Sequence, residues 1–325
     1  MEIVMYLPGL LHTFGGAMRS KYGEKVHKMA INAGFTCPNR DGSKGTGGCT
    51  FCNNSSFSPN ARKPPSVHDQ VISGKHVIQK RTGAKKYIAY FQAYTNTYAD
   101  INELKRSYDE ALAVEDVIGL SIGTRPDCVP DPVLALLADY QQQGYEIWIE
   151  LGLQSAFDDT LERVNRGHNF AEYVDAAQRA RGFRLQVCTH LIIGLPGESM
   201  QKSFASFNRV LEVGTQGLKL HPLHVVKGTQ LANQWRRGEY TAILFDDYID
   251  VATKMIQHTP SEIIFHRLTA TAQPDLLLAP DWCSKKWRVL NAIHDRLLTQ
   301  HSRQADYIDN SKLQRKLYGT GMSGR

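Results

Sequence analysis

The chain has no run of about eighteen consecutive apolar residues, so nothing in it reads as a bilayer-spanning helix. Its hydrophobic fraction, 42% of 325 residues, is slightly below the usual globular range. The opening stretch from Met1 to Leu11 is mildly apolar, but it lacks the basic start and small-residue cleavage site of a secretory signal. Cysteine is scarce, and the six present are not spread as a disulfide framework would be. Three crowd into one loop while Cys128, Cys188 and Cys283 stand alone, which fits a reducing, cytoplasmic setting and inert core thiols at the three scattered positions. Also missing are a phosphate-binding P-loop, a Ser-His-Asp order and a His-Glu-x-x-His zinc motif. No membrane partner is expected.

The loop that holds the other three cysteines runs from Cys37 to Cys52. Cys49 and Cys52 form a Cys-x-x-Cys pair, which places two sulfurs on one tight turn. Glycines at 42, 45, 47 and 48 give the backbone access to the positive φ values that aim sulfurs inward. A structural zinc site is closed by four protein ligands, whereas an iron–sulfur cluster held by three cysteines leaves one iron open to a substrate or cofactor. Two readings therefore stand side by side here: a three-cysteine cluster, and a zinc turn closed by a distant histidine.

Along the chain, apolar runs too short for helices alternate with segments of helical spacing. Residues 26–34 read as a strand leading into the cysteine loop, and 87–92 as a second strand. Asp100 with Glu103 forms a capping-box pattern ahead of a helix carrying Leu104, Tyr108 and Leu112. Residues 117–122 are the third strand, followed by a helix with Asp131 as cap and Pro132 at its first position, stopped near Gly144. Residues 147–151, 185–193 and 218–223 are the fourth, fifth and sixth strands. The helices between them begin near Phe157, at Asn169 with Glu172, and at Ser199.

Six strands alternating with helices call for parallel crossovers, in a barrel or a doubly wound sheet. Polar or glycine-containing clusters follow nearly every strand, at Tyr94–Thr97, Gly123–Asp127, Gly152–Ser155, Gly194–Glu198 and His224–Thr229. Any one of them would serve as ordinary turn chemistry. Five around one cysteine loop favour a barrel whose carboxyl-end rim is the site. Three segments are expected: an N-terminal lead over 1–25, the barrel over 26–230, and a mostly helical C-terminal extension over 231–325 with one short strand-like run at Glu262–Phe265 and a basic tail at Lys312, Arg315, Lys316 and Arg325.

The phrases Cys37-Pro38-Asn39-Arg40-Asp41-Gly42, Gly47-Gly48-Cys49-Thr50-Phe51-Cys52, Gly123-Thr124-Arg125-Pro126-Asp127-Cys128, Leu151-Gly152-Leu153-Gln154-Ser155, Asn165-Arg166-Gly167-His168, Gly194-Leu195-Pro196-Gly197-Glu198 and His221 to Thr229 resemble the radical S-adenosylmethionine (radical SAM) superfamily, in particular its bacterial YhcC-like subgroup. That subgroup is similar to the catalytic subunit of Elongator and, more distantly, to oxygen-independent coproporphyrinogen oxidase. The resemblance spans most of residues 27–272. It implies an α/β fold, a partial (β/α)6 TIM-like barrel, with one 4Fe–4S cluster on Cys37, Cys49 and Cys52 and S-adenosylmethionine as cofactor. It implies an external one-electron reductant as well. The spacing departs from the usual Cys-x-x-x-Cys-x-x-Cys, because eleven residues separate Cys37 from Cys49.

By the same resemblance, Phe51 is expected beside the adenine, and Gln154 and Arg166 at the ribose and carboxylate of S-adenosylmethionine. His190 stands where the coproporphyrinogen oxidase type has an aspartate. The superfamily's Gly-Gly-Glu phrase has no counterpart after the second strand, where Thr95 or Asn96 is the available hydrogen-bonding substitute. Arg125 and Asp127 read either as a salt-bridged brace or as ligand contacts. His221, His224, Lys227, His266 and Arg267 are candidates for the substrate side. The function expected is a radical SAM enzyme, with RNA as the substrate suggested by the Elongator-like phrases. The other function class is a non-catalytic RNA-binding protein with a structural zinc loop, for which the basic tail and aromatic residues would be the footprint.

Overall fold

In the computed structural model the described residues are 7–56 and 65–308. The basic tail expected at Lys312 to Arg325 and the first six residues lie outside them. Strands β1 (Val26–Ile31), β2 (Lys86–Phe91), β3 (Val117–Thr124), β4 (Glu146–Gln154), β5 (Gln186–Ile193), β6 (Gly217–Pro222), β7 (Val225–Val226), β8 (Ile264–Arg267) and β9 (Leu277–Ala279) follow in chain order. Helices α1 (Phe14–Tyr22), α2 (Val67–Thr82), α3 (Ile101–Leu112), α4 (Asp131–Gln142), α5 (Asp158–Arg163), α6 (Phe170–Gly182), α7 (Met200–Val213), α8 (Gln230–Arg236), α9 (Phe245–Gln257) and α10 (Lys286–Thr299) separate and flank them.

The first six strands pair in sequential order and in parallel, as the alternation requires. A seventh parallel strand, β8, then adds beside β6. It is the short run seen in the C-terminal segment, which the sequence pattern left outside the barrel. At a strand spacing of about 4.8 Å, a flat sheet of seven would hold its two edges nearly 30 Å apart. Yet Lys28 on β1 lies 2.9 Å from His266 on β8, ammonium to ring nitrogen. The sheet is therefore strongly curled, a half-barrel whose edge strands meet through side chains.

The N-terminal lead takes part in this closure. Phe14 on α1 packs its ring 4.5 Å from that of His266, and the Phe265 amide donates to the His12 carbonyl at 2.8 Å. Thr13 caps α1 by accepting from the Gly16 amide.

Local signals position the outer helices. Asn169 and Glu172 form the complete capping box of α6, and Ser199 caps α7 by accepting from the Lys202 amide. Asp131 is the first residue of α4 rather than its cap, with Pro130 before it. The main core runs between sheet and helices, where Val71, Leu104, Tyr108, Leu134, Leu137, Tyr173, Phe207 and Val210 are buried. Each of these large side chains contributes on the order of 1.5–3 kcal/mol by leaving water. A smaller cluster of Val164, Leu195, Leu223, Val225 and Leu231 lies under the rim, with Phe51 packed on it.

Candidate active site at the barrel mouth

Cys37, Cys49 and Cys52 line one cavity of about 250 Å³ at the carboxyl ends of the strands. The loop that carries them leaves β1 and is bound to the β4 rim at several points. Arg40 and Asp41 amides donate back to the Cys37 carbonyl, and the Cys52 amide donates to the Cys49 carbonyl at 2.9 Å. Asn39 Nδ2 donates to the Asn165 carbonyl at 2.6 Å, and Asn165 Nδ2 returns a bond to the Gly48 carbonyl at 2.9 Å. Gly48 and Gly167 both have positive φ, and a Cβ on Gly167 would stand 2.4 Å from Asn39 Oδ1. These glycines let loop and rim approach.

Arg125 and Asp127 are a brace. Arg125 reaches Asp127 with two bonds of 2.9 Å and also donates to the carbonyls of Arg166 and Gly167. Lys44, within the long spacer between Cys37 and Cys49, closes on Asp127 at 2.7 Å. Burial opposes the Asp127 charge, but Arg125 and Lys44 outweigh it and keep the carboxyl below its ordinary range. The eleven-residue spacer is thus fastened to the barrel by an ion pair between the exposed Lys44 and the buried Asp127.

Positive charge stands next to the thiols. Arg166 Nη1 is 3.5 Å from Cys49 Sγ, while its Nη2 donates to the Gly152 carbonyl at 2.7 Å. Arg40 donates to the Cys52 carbonyl at 2.8 Å. Burial raises the Cys52 thiol and the neighbouring Cys49 adds to it, against the pull of Arg40. Among the described residues, no three His, Cys, Asp or Glu side chains converge as the ligands of one ion do. Thiolates of a four-iron cluster each take a different iron, so that convergence is not what such a cluster asks of them.

The other residues singled out in the sequence are brought to the same cavity. Phe51, Gln154, Arg166 and His190 all line it. Gln154 sits in a left-handed conformation at φ 80°, unusual for a residue with a side chain, at the end of β4. Of the two substitutes for the missing Gly-Gly-Glu phrase, Thr95 lines the cavity with a buried hydroxyl that has no partner. Asn96 instead spends its amide on the carbonyls of Phe91 and Gly123. Asn54 Nδ2, also at the cavity, is buried without a partner. Orphaned groups of this kind are costly unless a ligand satisfies them.

His221, His224 and Arg267 line the cavity, but Lys227 is exposed outside it. His266 lies deeper, in a charged centre that sequence reasoning missed. Glu150, fully buried on β4, bonds Lys28 Nζ at 2.5 Å, Ser121 Oγ at 2.5 Å, His190 Nε2 at 2.7 Å and the ammonium of Lys219. Lys28, Ser121, Glu150, His190 and Lys219 come from five strands. Burial would raise the Glu150 carboxyl, but Lys219 and Lys28 hold it well below the usual range. Burial brings Lys219 down to about 7 against the pull of Glu150, and His190 down to about 4. The signal was a single charged residue within an apolar strand run, at Ile149-Glu150-Leu151 and again at Leu218-Lys219-Leu220.

Cys128, Cys188 and Cys283 are buried and line no part of the cavity. Burial, with Asp127 beside it, pushes the Cys128 thiol up to about 12. These are inert thiols.

Comparison with known proteins gives the family and the fold. Residues 35–206 match the radical SAM superfamily and residues 215–299 its C-terminal domain. The chain belongs to the radical SAM superfamily, and it is a radical SAM enzyme. It is 48% identical to Protein YhcC of Escherichia coli K12 over 304 residues, covering 94% of this chain and 97% of that one. It is 34% identical to the tRNA uridine(34) acetyltransferase of Dehalococcoides mccartyi over 143 residues, 42% of this chain but only 30% of that protein. Among solved structures, the archaeal Methanocaldococcus infernus Elp3 superposes with a TM-score of 0.66 at 19% identity. That likeness covers 86% of this chain and 64% of that one, and it shows the shared fold. Superfamily membership implies a 4Fe–4S cluster and S-adenosylmethionine, and the non-catalytic zinc-loop reading gives way to it. No helix among the described residues is long and apolar enough to cross a membrane.

Proposed function

We propose that Cys37, Cys49 and Cys52 hold a 4Fe–4S cluster at the mouth of the half-barrel and that the adjoining cavity binds S-adenosylmethionine to generate a radical that acts on RNA. The observation that carries this reading is the meeting of all three loop cysteines on one cavity with Arg166 against Cys49. Three thiolates suit a cluster with one iron left open, and the guanidinium beside them offsets their charge. When bound, the cluster supplies the electron that splits S-adenosylmethionine into methionine and a 5′-deoxyadenosyl radical able to take a hydrogen atom from a substrate.

The protein's own share is to bind, orient and keep out water. In this reading Arg166 meets the methionine carboxylate, Gln154 the ribose and Phe51 the adenine, while Thr95 offers its free hydroxyl to the amino group. His190 has one ring nitrogen committed to Glu150, so only the other is available to the ribose. Residues 26–230 carry the cofactor side, and the 231–325 segment adds the far wall through Arg267 on β8.

RNA as substrate is supported by the relative named as a tRNA uridine(34) acetyltransferase, which this chain matches over part of its length. The net charge of +6 suits a polyanion.

The test is anaerobic. Reconstituted protein reduced by dithionite should release 5′-deoxyadenosine and methionine slowly, faster with RNA, and a Cys52→Ala protein should release neither. A wild-type protein with a full cluster and bound cofactor that yields no 5′-deoxyadenosine would overturn the reading.

A further inference from the structure

Among the described residues the charges around the cavity are paired, with one exception. Arg125 is bound to Asp127, Arg40 to the Cys52 carbonyl, and Arg166 to the Gly152 carbonyl beside Cys49. Glu150, the one carboxylate lining the cavity among the described residues, is already matched by Lys28 and Lys219. Arg267 is half-buried, lines the cavity from β8, and has no carboxylate or hydrogen-bond acceptor within reach among the described residues. A guanidinium withdrawn from water without a counter-charge is a standing cost that an incoming anion would offset.

Arg267 has neighbours of matching character. His221 and His224 line the same wall. His224 uses its ring on the backbone of Ala270, and its Nε2 is out of reach of solvent with no partner. Burial keeps this imidazole neutral, its pKa down to about 4, with Arg267 contributing. A neutral ring nitrogen of this kind pairs with a hydroxyl. Arg166, the residue assigned above to the methionine carboxylate, belongs to the β4 rim, whereas Arg267 is on the edge strand β8, three strands along the sheet order.

We propose that Arg267 and His224 form a substrate subsite for an oxyanion, a phosphoryl or carboxylate group, with Arg267 taking the charged oxygens in a forked pair of hydrogen bonds and His224 taking an adjacent hydroxyl. This rests on the radical SAM reading and adds to it that the substrate is anchored by its anionic group while another of its atoms faces the cofactor. The planar guanidinium fork fits either group. A nucleotide phosphate of RNA and the carboxylate of a small acid are the two sources of that chemistry.

The experiment uses the reconstituted, anaerobic protein saturated with S-adenosylmethionine, at constant ionic strength. Inorganic phosphate and acetate are titrated separately, by calorimetry and, for phosphate, by phosphorus NMR line width. A single equivalent of one or both should bind, and Arg267→Gln should weaken it by about tenfold or more, with Arg267→Lys keeping part of the affinity. Affinity for S-adenosylmethionine should change less than about twofold. His224→Leu should weaken phosphate, which carries a hydroxyl at neutral pH, more than acetate, which has none. Preference for phosphate assigns the nucleotide source and preference for acetate the small acid. The proposal fails if neither anion binds wild type, if Arg267→Gln binds as wild type does, or if that variant loses S-adenosylmethionine in parallel, which would make Arg267 a cofactor contact. Failure of the radical SAM reading itself would show separately, as wild-type protein without iron or without 5′-deoxyadenosine.

Discussion

Arg166 lies with Nη1 3.5 Å from the sulfur of Cys49, held there by the bond from its Nη2 to the Gly152 carbonyl. One side chain thus joins the cysteine loop to the end of β4. Replacing Arg166 with Ala is expected to leave iron content intact while weakening S-adenosylmethionine binding by about 1–3 kcal/mol, since the lost partner is charged. Gln154→Ala should act in the same direction. Calorimetry with the cofactor decides, and unchanged affinity in both variants would return the two residues to a packing role.

The three loop cysteines should behave alike and unlike the rest. Cys37→Ala, Cys49→Ala and Cys52→Ala are each expected to abolish iron incorporation and the cluster's visible absorption. Cys128→Ala, Cys188→Ala and Cys283→Ala should retain both. A Cys37→Ala protein with wild-type absorption and iron would show that the cluster is held elsewhere.

Glu150 is the common acceptor of Lys28 on β1, His190 on β5 and Lys219 on β6. Glu150→Gln leaves Lys28 and Lys219 withdrawn from water without their anion, a change expected to cost about 3–5 kcal/mol of stability. Urea unfolding followed by circular dichroism measures it. A loss below about 1 kcal/mol would mean that water reaches the centre and screens it.

Acid should destabilise the protein earlier than its carboxylates alone would explain. Burial holds His190 and His224 to about 4 and keeps His168, His221 and His266 well below the ordinary 6.5, with neighbouring cations adding to it. Between about pH 6.5 and pH 4 the unfolded chain binds protons at these rings that the folded chain does not. Stability therefore falls with pH through that window, by about 1.4 kcal/mol per pH unit for each such histidine. Urea midpoints recorded from about pH 7.5 down to about pH 5 test this. A flat profile would show that the rings are solvated and titrate normally.

Much of the cofactor side was legible in the chain because it is local. The Cys-x-x-Cys turn, the glycines around it, the caps at Asn169 and Ser199 and the strand runs each depend on residues a few positions apart. Their spacing determined that a cysteine loop follows the first strand of an alternating α/β fold, with polar rims around it. The Glu150 centre was not legible, since Lys28 lies 122 residues from Glu150 and Lys219 lies 69 residues beyond it. A charged residue in a strand is tolerable inside only when curling brings its counter-charge into reach, and that depends on long-range register. Tertiary structure likewise made Arg125 and Asp127 a brace and added β8 as the seventh strand. It also left Arg267 without a partner among the described residues at the cavity wall, because only the closed half-barrel decides which side chains share one buried space.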